Sequence, residues 1–179
     1  MLVSHTHKFV FIHVPKTGGT SIRHALQDAV PDFTPYQRHV PRHPTALTGR
    51  DALGALWAHY LTFAFVRNPW ERAVSFYLEK VQATHTSFED FLTIGHSWCD
   101  PQVNYLHDRD GTCLVKCIGR FERLNDDVAR VCATLGISLV LPHLNRTEHI
   151  HYRAYYNDHT RQLVATAFQA DLAAFGYQF

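Results

Sequence analysis

Residues 8–21, Lys8-Phe9-Val10-Phe11-Ile12-His13-Val14-Pro15-Lys16-Thr17-Gly18-Gly19-Thr20-Ser21, decide the fold. The first seven are mostly apolar, rich in β-branched and aromatic side chains, and match a strand buried on both faces; Pro15 ends it. Ser21 to Ala29 carries Ile22, Ala25, Leu26 and Ala29 at helical spacing. The opening therefore reads as strand, glycine-containing loop, helix. A second such unit follows. Leu61 to Val66 is a buried-strand candidate stopped by Arg67-Asn68-Pro69, and Trp70 to Lys80 places Ala73, Val74, Tyr77 and Leu78 on one helical side. Between the units, residues 31–50 hold Pro31, Pro35, Pro41, Pro44 and Gly49, too many breakers for a long helix, and an exposed loop is expected there. Further on, the pattern predicts a helix over Thr86–Ile94 capped by Thr86 or Ser87. After the Asp110-Gly111 turn, a strand is expected over Thr112–Ile118. A helix over Asn125–Leu135 is stopped by Gly136, and one long helix runs from about Asp158 to Ala174. Strands alternating with helices predict an α/β fold with a central, mainly parallel sheet flanked by helices.

The loop Pro15–Ser21 has the makings of an anion cradle. Gly18 and Gly19 let backbone N–H groups approach a ligand, Lys16 adds a full positive charge, and the helix N-terminus directs partial positive charge at the same spot. The plainer alternative is a tight glycine turn with Thr or Ser as an ordinary N-cap. The lysine precedes the glycines instead of following them, so the common GxxxxGK[ST] nucleotide loop with its magnesium-binding hydroxyl is not supported. Arg67 leaves the end of the second strand, and Ser75 lies a little over two helical turns beyond it, a spacing that lets both reach one anion. A surface arginine in a helix-entry turn is the alternative. In a parallel sheet, both loops open at the C-terminal edge of the strands, where such folds bind ligands.

Lys16-Thr17-Gly18-Gly19-Thr20-Ser21 after an apolar strand resembles the 5'-phosphosulfate loop of sulfotransferases that use 3'-phosphoadenosine 5'-phosphosulfate (PAPS). Phe65-Val66-Arg67-Asn68-Pro69-Trp70-Glu71-Arg72-Ala73-Val74-Ser75-Phe76-Tyr77 resembles that family's 3'-phosphate segment. Arg42-His43-Pro44-Thr45-Ala46 is similar to the Lys-His-x-Thr-Ala segment of the carbohydrate-type and bacterial branch, related to the heparan sulfate 2-O-sulfotransferases. Gly119–Leu124, Leu141–Thr147 and Phe175-Gly176-Tyr177 follow that branch in the same order, so the resemblance runs almost end to end. It implies a P-loop-like three-layer fold, a single sulfotransferase domain over residues 1–179, and transfer of a sulfuryl group from PAPS to a hydroxyl of a carbohydrate or other small metabolite. Adenosine 3',5'-bisphosphate would be the product. It also implies residue roles: Lys16 on the phosphosulfate and the departing phosphate, backbone from Gly18 to Ser21 on the 5'-phosphate, and Arg67 with Ser75 on the 3'-phosphate. Arg146 and Thr147 would close over the donor from the C-terminal side. His43 is the expected general base, a surface histidine being the alternative, with His39 in reserve and His13 read as a hydrogen-bonded strand-end residue. Two departures stand out: Arg146 replaces a frequent lysine, and Pro44 stiffens the loop beside the histidine.

Composition narrows the alternatives. The chain has 179 residues, 46% of them apolar, enough for one sizeable core, and its formal charge of +1 gives no global attraction to nucleic acid or an anionic membrane. No targeting or transmembrane stretch is visible, and Cys99, Cys113, Cys117 and Cys132 form no CxxC pair, so a reducing cytoplasm is the expected location. A bacterial-type relative without a membrane anchor fits the opening of the chain best. Fourteen histidines invite a metal reading, but His5-x-His7 and His149-x-His151 lack the partners of a specific site, and no metal is expected because Lys16 and Arg67 supply the positive charge. Trp57, His59, Tyr60, Trp98 and Tyr105 are either aromatic platforms for an acceptor or core residues. Two other functions compete: an inactive module that only binds PAPS or adenosine bisphosphate, and a small-molecule kinase that would need ATP and magnesium.

Overall fold

The computed structural model describes residues 1–32, 34–35, 43–81, 86–93, 100–141 and 150–179. Along the chain these form β1 (Leu2–Ser4), β2 (Phe9–Ile12), α1 (Gly19–Ala29), β3 (Thr34–Pro35), α2 (Ala46–Leu53), α3 (Leu56–His59), β4 (Leu61–Val66), α4 (Pro69–Val81), α5 (Phe88–Thr93), α6 (Val103–Leu106), β5 (Cys117–Arg120), α7 (Leu124–Leu135), α8 (Asp158–Ala167) and α9 (Gln169–Phe175). Two compact units result: Met1–Val66 with Asn104–Arg146, and Arg67–Val103 with Thr147–Phe179.

The first unit holds the sheet, in the order β3-β1-β2-β4-β5. β2, β4 and β5 run parallel, with Phe11 opposite Phe63 and Val66 opposite Arg120, while β1 joins antiparallel to both β2 and β3. The expected mainly parallel α/β sheet is therefore present; the short β1 and β3 add to it. Alternation along β2 and β4 places Phe9, Phe11, Phe63 and Phe65 on one face, against Ile22 and Leu26 of α1 and Val128, Val131 and Cys132 of α7. Each of the four rings is withdrawn from water and contributes about 2 kcal/mol. Val10, Ile12 and Ala64 on the other face are buried too, which is why these strands read as continuous apolar runs rather than alternating ones.

Close packing dictates glycine at one sheet position. The Phe65 ring lies over Gly119, where a Cβ would stand 2.4 Å from Phe65 Cε1 and 3.1 Å from Asp127 Cβ. Gly119→Ala is expected to destabilise the protein by about 1–3 kcal/mol through overpacking, read as a lower unfolding midpoint by circular dichroism. An unchanged midpoint would mean that the ring moves aside freely.

The second unit is helical. Trp70, Ala73 and Val74 of α4, Phe88 and Phe91 of α5, and Val164 of α8 belong to one core. A capping box starts α8: Asn157 Oδ1 accepts the Thr160 N–H at 2.8 Å, and Thr160 Oγ1 accepts the Asn157 N–H at 3.0 Å. Ser87, one of the two residues expected to cap α5, does so by accepting the Asp90 N–H.

Three expectations need correction. Residues 46–50 are not loop but the start of α2, nucleated by Thr45, whose hydroxyl accepts the Thr48 N–H at 3.2 Å; the preceding prolines lie outside the helix and do not interrupt it. The strand expected over Thr112–Ile118 runs instead over Cys117–Arg120. Residues 112–116 are committed elsewhere: Leu114 N–H bonds to Leu106 O and Lys116 N–H to Thr62 Oγ1, so only from Cys117 does the chain lie along β4. The long C-terminal helix is broken at Phe168 (φ −114°) into α8 and α9. Val164, Phe168 and Leu172 sit four apart across the break, so the apolar stripe is the same with or without it.

Candidate functional site

The loop leaving β2 is bent by two residues in the left-handed region, Lys16 at φ +66° and Gly18 at φ +79°. A lysine there is uncommon, and such conformations collect at functional sites. Thr17 is buried, and its hydroxyl donates to Val14 O at 2.9 Å, so that side chain braces the turn from within. Gly18 is the N-cap of α1, and no side chain caps this helix. The ordinary-cap reading by a serine or threonine therefore does not hold, and the first-turn N–H groups form a positive helix end beside Lys16. The glycine pair is also enforced by its neighbours. A Cβ at Gly18 would meet Leu124 Cδ2 at 2.9 Å, and one at Gly19 would overlap the His13 ring at 2.1 Å from Cδ2.

His13, expected as a hydrogen-bonded strand-end residue, directly follows β2. Its ring stacks on Phe11 (centroids 5.8 Å, 14°), rests on Gly19, and meets the half-buried His43 edge-on at 5.0 Å and 86°. The period-two alternation Phe9, Phe11, His13 was the available signal that His13 continues the inner face of the strand. Through it, His43 is brought to the flank of the α1 N-terminus although thirty residues of sequence separate His13 from His43. Within the first unit, Lys16, Gly18 and Gly19 thus lie in the turn after β2, with the His13 ring against Gly19 and His43 against His13. Thr20 is half-buried and Ser21 buried in the first turn of α1.

In the second unit, Arg67 is only 6% exposed. Its main-chain N–H donates to Gln102 Oε1 at 2.9 Å, and its Nη2 pairs with Glu71 Oε1 at 3.0 Å. Asn68 Oδ1 accepts the Trp70 N–H at 3.0 Å and starts α4. Positions 67, 71 and 75 are four apart, so Glu71 and the half-buried Ser75 share one stripe of α4 that continues the Arg67 side. Arg72 is wholly buried, donates to Asp100 O at 2.9 Å and lies over Phe76; its work is structural. Gln102 was not singled out from the sequence, because its partners lie 35 and 69 residues away.

Of the remaining expected site residues, His39, Arg146, Thr147 and Trp98 lie outside the described residues. Trp57 and Tyr60 are buried, the Tyr60 hydroxyl lying 2.6 Å from His5 Nδ1, so both serve the core; His59 is exposed and Tyr105 half-buried. Burial pushes the Cys117 and Cys132 thiols up, against a reactive thiolate at either. Among the described residues, no group of three or more His, Cys, Asp or Glu is placed to hold a metal ion, and no helix is long and apolar enough to cross a membrane.

The model of the family described as "Sulfotransferase family" matches residues 1–178. An uncharacterised protein of Archaeoglobus fulgidus is 32% identical over 89 residues, covering 46% of this chain and 72% of that protein. The crystal structure of a sulfotransferase from Alicyclobacillus acidocaldarius superposes with a TM-score of 0.53 over 96% of both chains at 18% identity, a likeness of fold.

Proposed function

This chain belongs to the sulfotransferase family, and from that membership we propose that it transfers a sulfuryl group from PAPS to the hydroxyl of a carbohydrate or other small alcohol. The observation that carries the reading is the left-handed Lys16–Gly18 turn, which feeds a helix start without a side-chain cap and has His43 held at its flank by His13.

In this scheme the α1 N–H groups and Lys16 hold the 5'-phosphosulfate, and Arg67 with Ser75 holds the 3'-phosphate. His43 takes the proton from the acceptor hydroxyl as its oxygen attacks sulfur. The new O–S bond forms while the bond from sulfur to the bridging phosphate oxygen breaks, and the electron pair leaves with adenosine 3',5'-bisphosphate. Lys16 meets the charge that builds on that oxygen, where a fixed cation is worth most. The resemblance to the heparan sulfate 2-O branch favours a carbohydrate acceptor, with a small hydroxylated metabolite as the alternative.

The test has two stages. Adenosine 3',5'-bisphosphate at about a hundred times its Kd is expected to stabilise the protein by about 2.7 kcal/mol, and Arg67→Ala to lose most of the thermal shift. An acceptor screen with donor labelled in the sulfuryl group then asks for transfer. Stabilisation without transfer to any hydroxyl would identify a binding module, and stronger stabilisation by ATP with magnesium would identify a kinase.

A further inference from the structure

We infer that Gln102 positions Arg67 for the 3'-phosphate of the donor, and that the Asp171–Gln102 pair sets the preference of this chain for nucleotides bearing that phosphate. The inference rests on the donor reading above. Val66, the last residue of β4, lies opposite Arg120, and Arg67 is the next along the chain. One side chain bonds both of its main-chain polar groups. Gln102 Oε1 accepts the Arg67 N–H at 2.9 Å, and Gln102 Nε2 donates to Arg67 O at 2.8 Å. Two bonds to a single residue fix its position and its rotation together, as a neighbouring strand would.

Gln102 is itself held. Asp171 Oδ2 accepts the Gln102 N–H at 2.9 Å and its Nε2 at 3.2 Å, and Asp171 Oδ1 accepts the Val103 N–H at 3.0 Å. Gln102 and Asp171 are both 0% exposed, so a lost bond here is not replaced by water. Starting α4 does not require this apparatus, because Asn68 already caps that helix. What the clamp adds is a fixed origin for the Arg67 side chain, whose far end is steadied by Glu71 on the stripe that leads to Ser75. Holding a cation at both ends lowers the ordering cost of binding an anion there. Gln102 is a positioning residue in this scheme and touches no substrate.

The experiment compares affinities of the full chain for adenosine 3',5'-bisphosphate and adenosine 5'-monophosphate by calorimetry, in wild type, Gln102→Met, Gln102→Glu and Arg67→Met. Gln102→Met keeps the length and loses both side-chain bonds to Arg67 and the side-chain bond to Asp171; Gln102→Glu keeps the acceptor for the Arg67 N–H, loses the donor to Arg67 O and to Asp171 Oδ2, and sets a second carboxyl group against Asp171. Each Gln102 variant is expected to lower the bisphosphate-to-monophosphate preference about tenfold, the effect of roughly one buried hydrogen bond, with monophosphate affinity within about twofold of wild type. In turnover assays the loss falls on donor KM and leaves kcat nearly unchanged. Equal weakening of both nucleotides, an unchanged preference, or failure of both variants to fold overturns the inference in favour of a purely structural role. Preference lost in Arg67→Met but kept in the Gln102 variants overturns the inference alone; preference unaltered in Arg67→Met overturns the donor reading and the inference with it.

Discussion

Lys16→Ala is expected to lower kcat for sulfuryl transfer by about 10²–10³-fold, the usual loss when one preorganised group facing developing charge is removed. Lys16 stands in a turn whose backbone is left-handed, between strand β2 and the start of α1. Alanine at that φ keeps the steric penalty and loses the charge, so a fall in stability is expected beside the fall in rate. Lys16→Gly separates the two, since glycine adopts φ +66° without strain. Its stability should match or exceed that of the wild type, because relief of about 1–2 kcal/mol of left-handed strain offsets the roughly 0.5–1 kcal/mol entropic cost of glycine, while its rate remains as slow as that of the alanine variant. Single-turnover rates with labelled donor and thermal unfolding of the same three proteins make the comparison. A glycine variant within threefold of the wild-type rate would remove Lys16 from the chemistry and leave its conformation as a feature of the turn alone.

His43→Ala is expected to abolish most transfer, by about 10²–10⁴-fold, the range for loss of a general base, while keeping the thermal shift produced by adenosine 3',5'-bisphosphate. The separation follows from the proposed roles: the base acts on the acceptor proton, and the nucleotide is held by Lys16, the α1 N–H groups and Arg67. His43 meets the His13 ring, and His13 is expected to remain stacked on Phe11 and seated on Gly19 when the His43 ring is removed. The cradle therefore survives the substitution. Loss of nucleotide binding in parallel with turnover would make His43 a donor contact. Retained turnover would move the base elsewhere, with His39 the first residue to test. A supporting result is expected from Gly19→Ala, whose Cβ collides with the His13 ring and so displaces the bridge to His43. Transfer should fall in that variant more than bisphosphate affinity does.

The two strand–loop–helix units were legible because their signals are local. Phe9–Ile12 is apolar at every position and Leu61–Val66 at every position but Thr62, since both faces of a parallel sheet are covered, and the residues that stop them, Pro15 and Arg67-Asn68-Pro69, lie within three residues of the strand ends. The Lys16–Ser21 loop carried its own signature in residue type and order. Membership of the sulfotransferase family was equally open to the sequence, through motifs spread from Lys16 to Tyr177. The break at Phe168 was invisible because it preserves the four-residue spacing on either side.

Tertiary structure alone decided which residues support those motifs. Gln102 clamps Arg67 across 35 residues, Asp171 fixes Gln102 across 69, and His13 links Gly19 to His43 by ring contact. Hydrogen bonds and ring contacts of this kind leave no periodic trace, because one glutamine, aspartate or histidine looks the same in sequence whether it faces water or closes a buried bond. Local pattern records which face of an element is apolar; only the folded chain brings distant polar groups within about 3 Å, the range over which their donors and acceptors recognise each other.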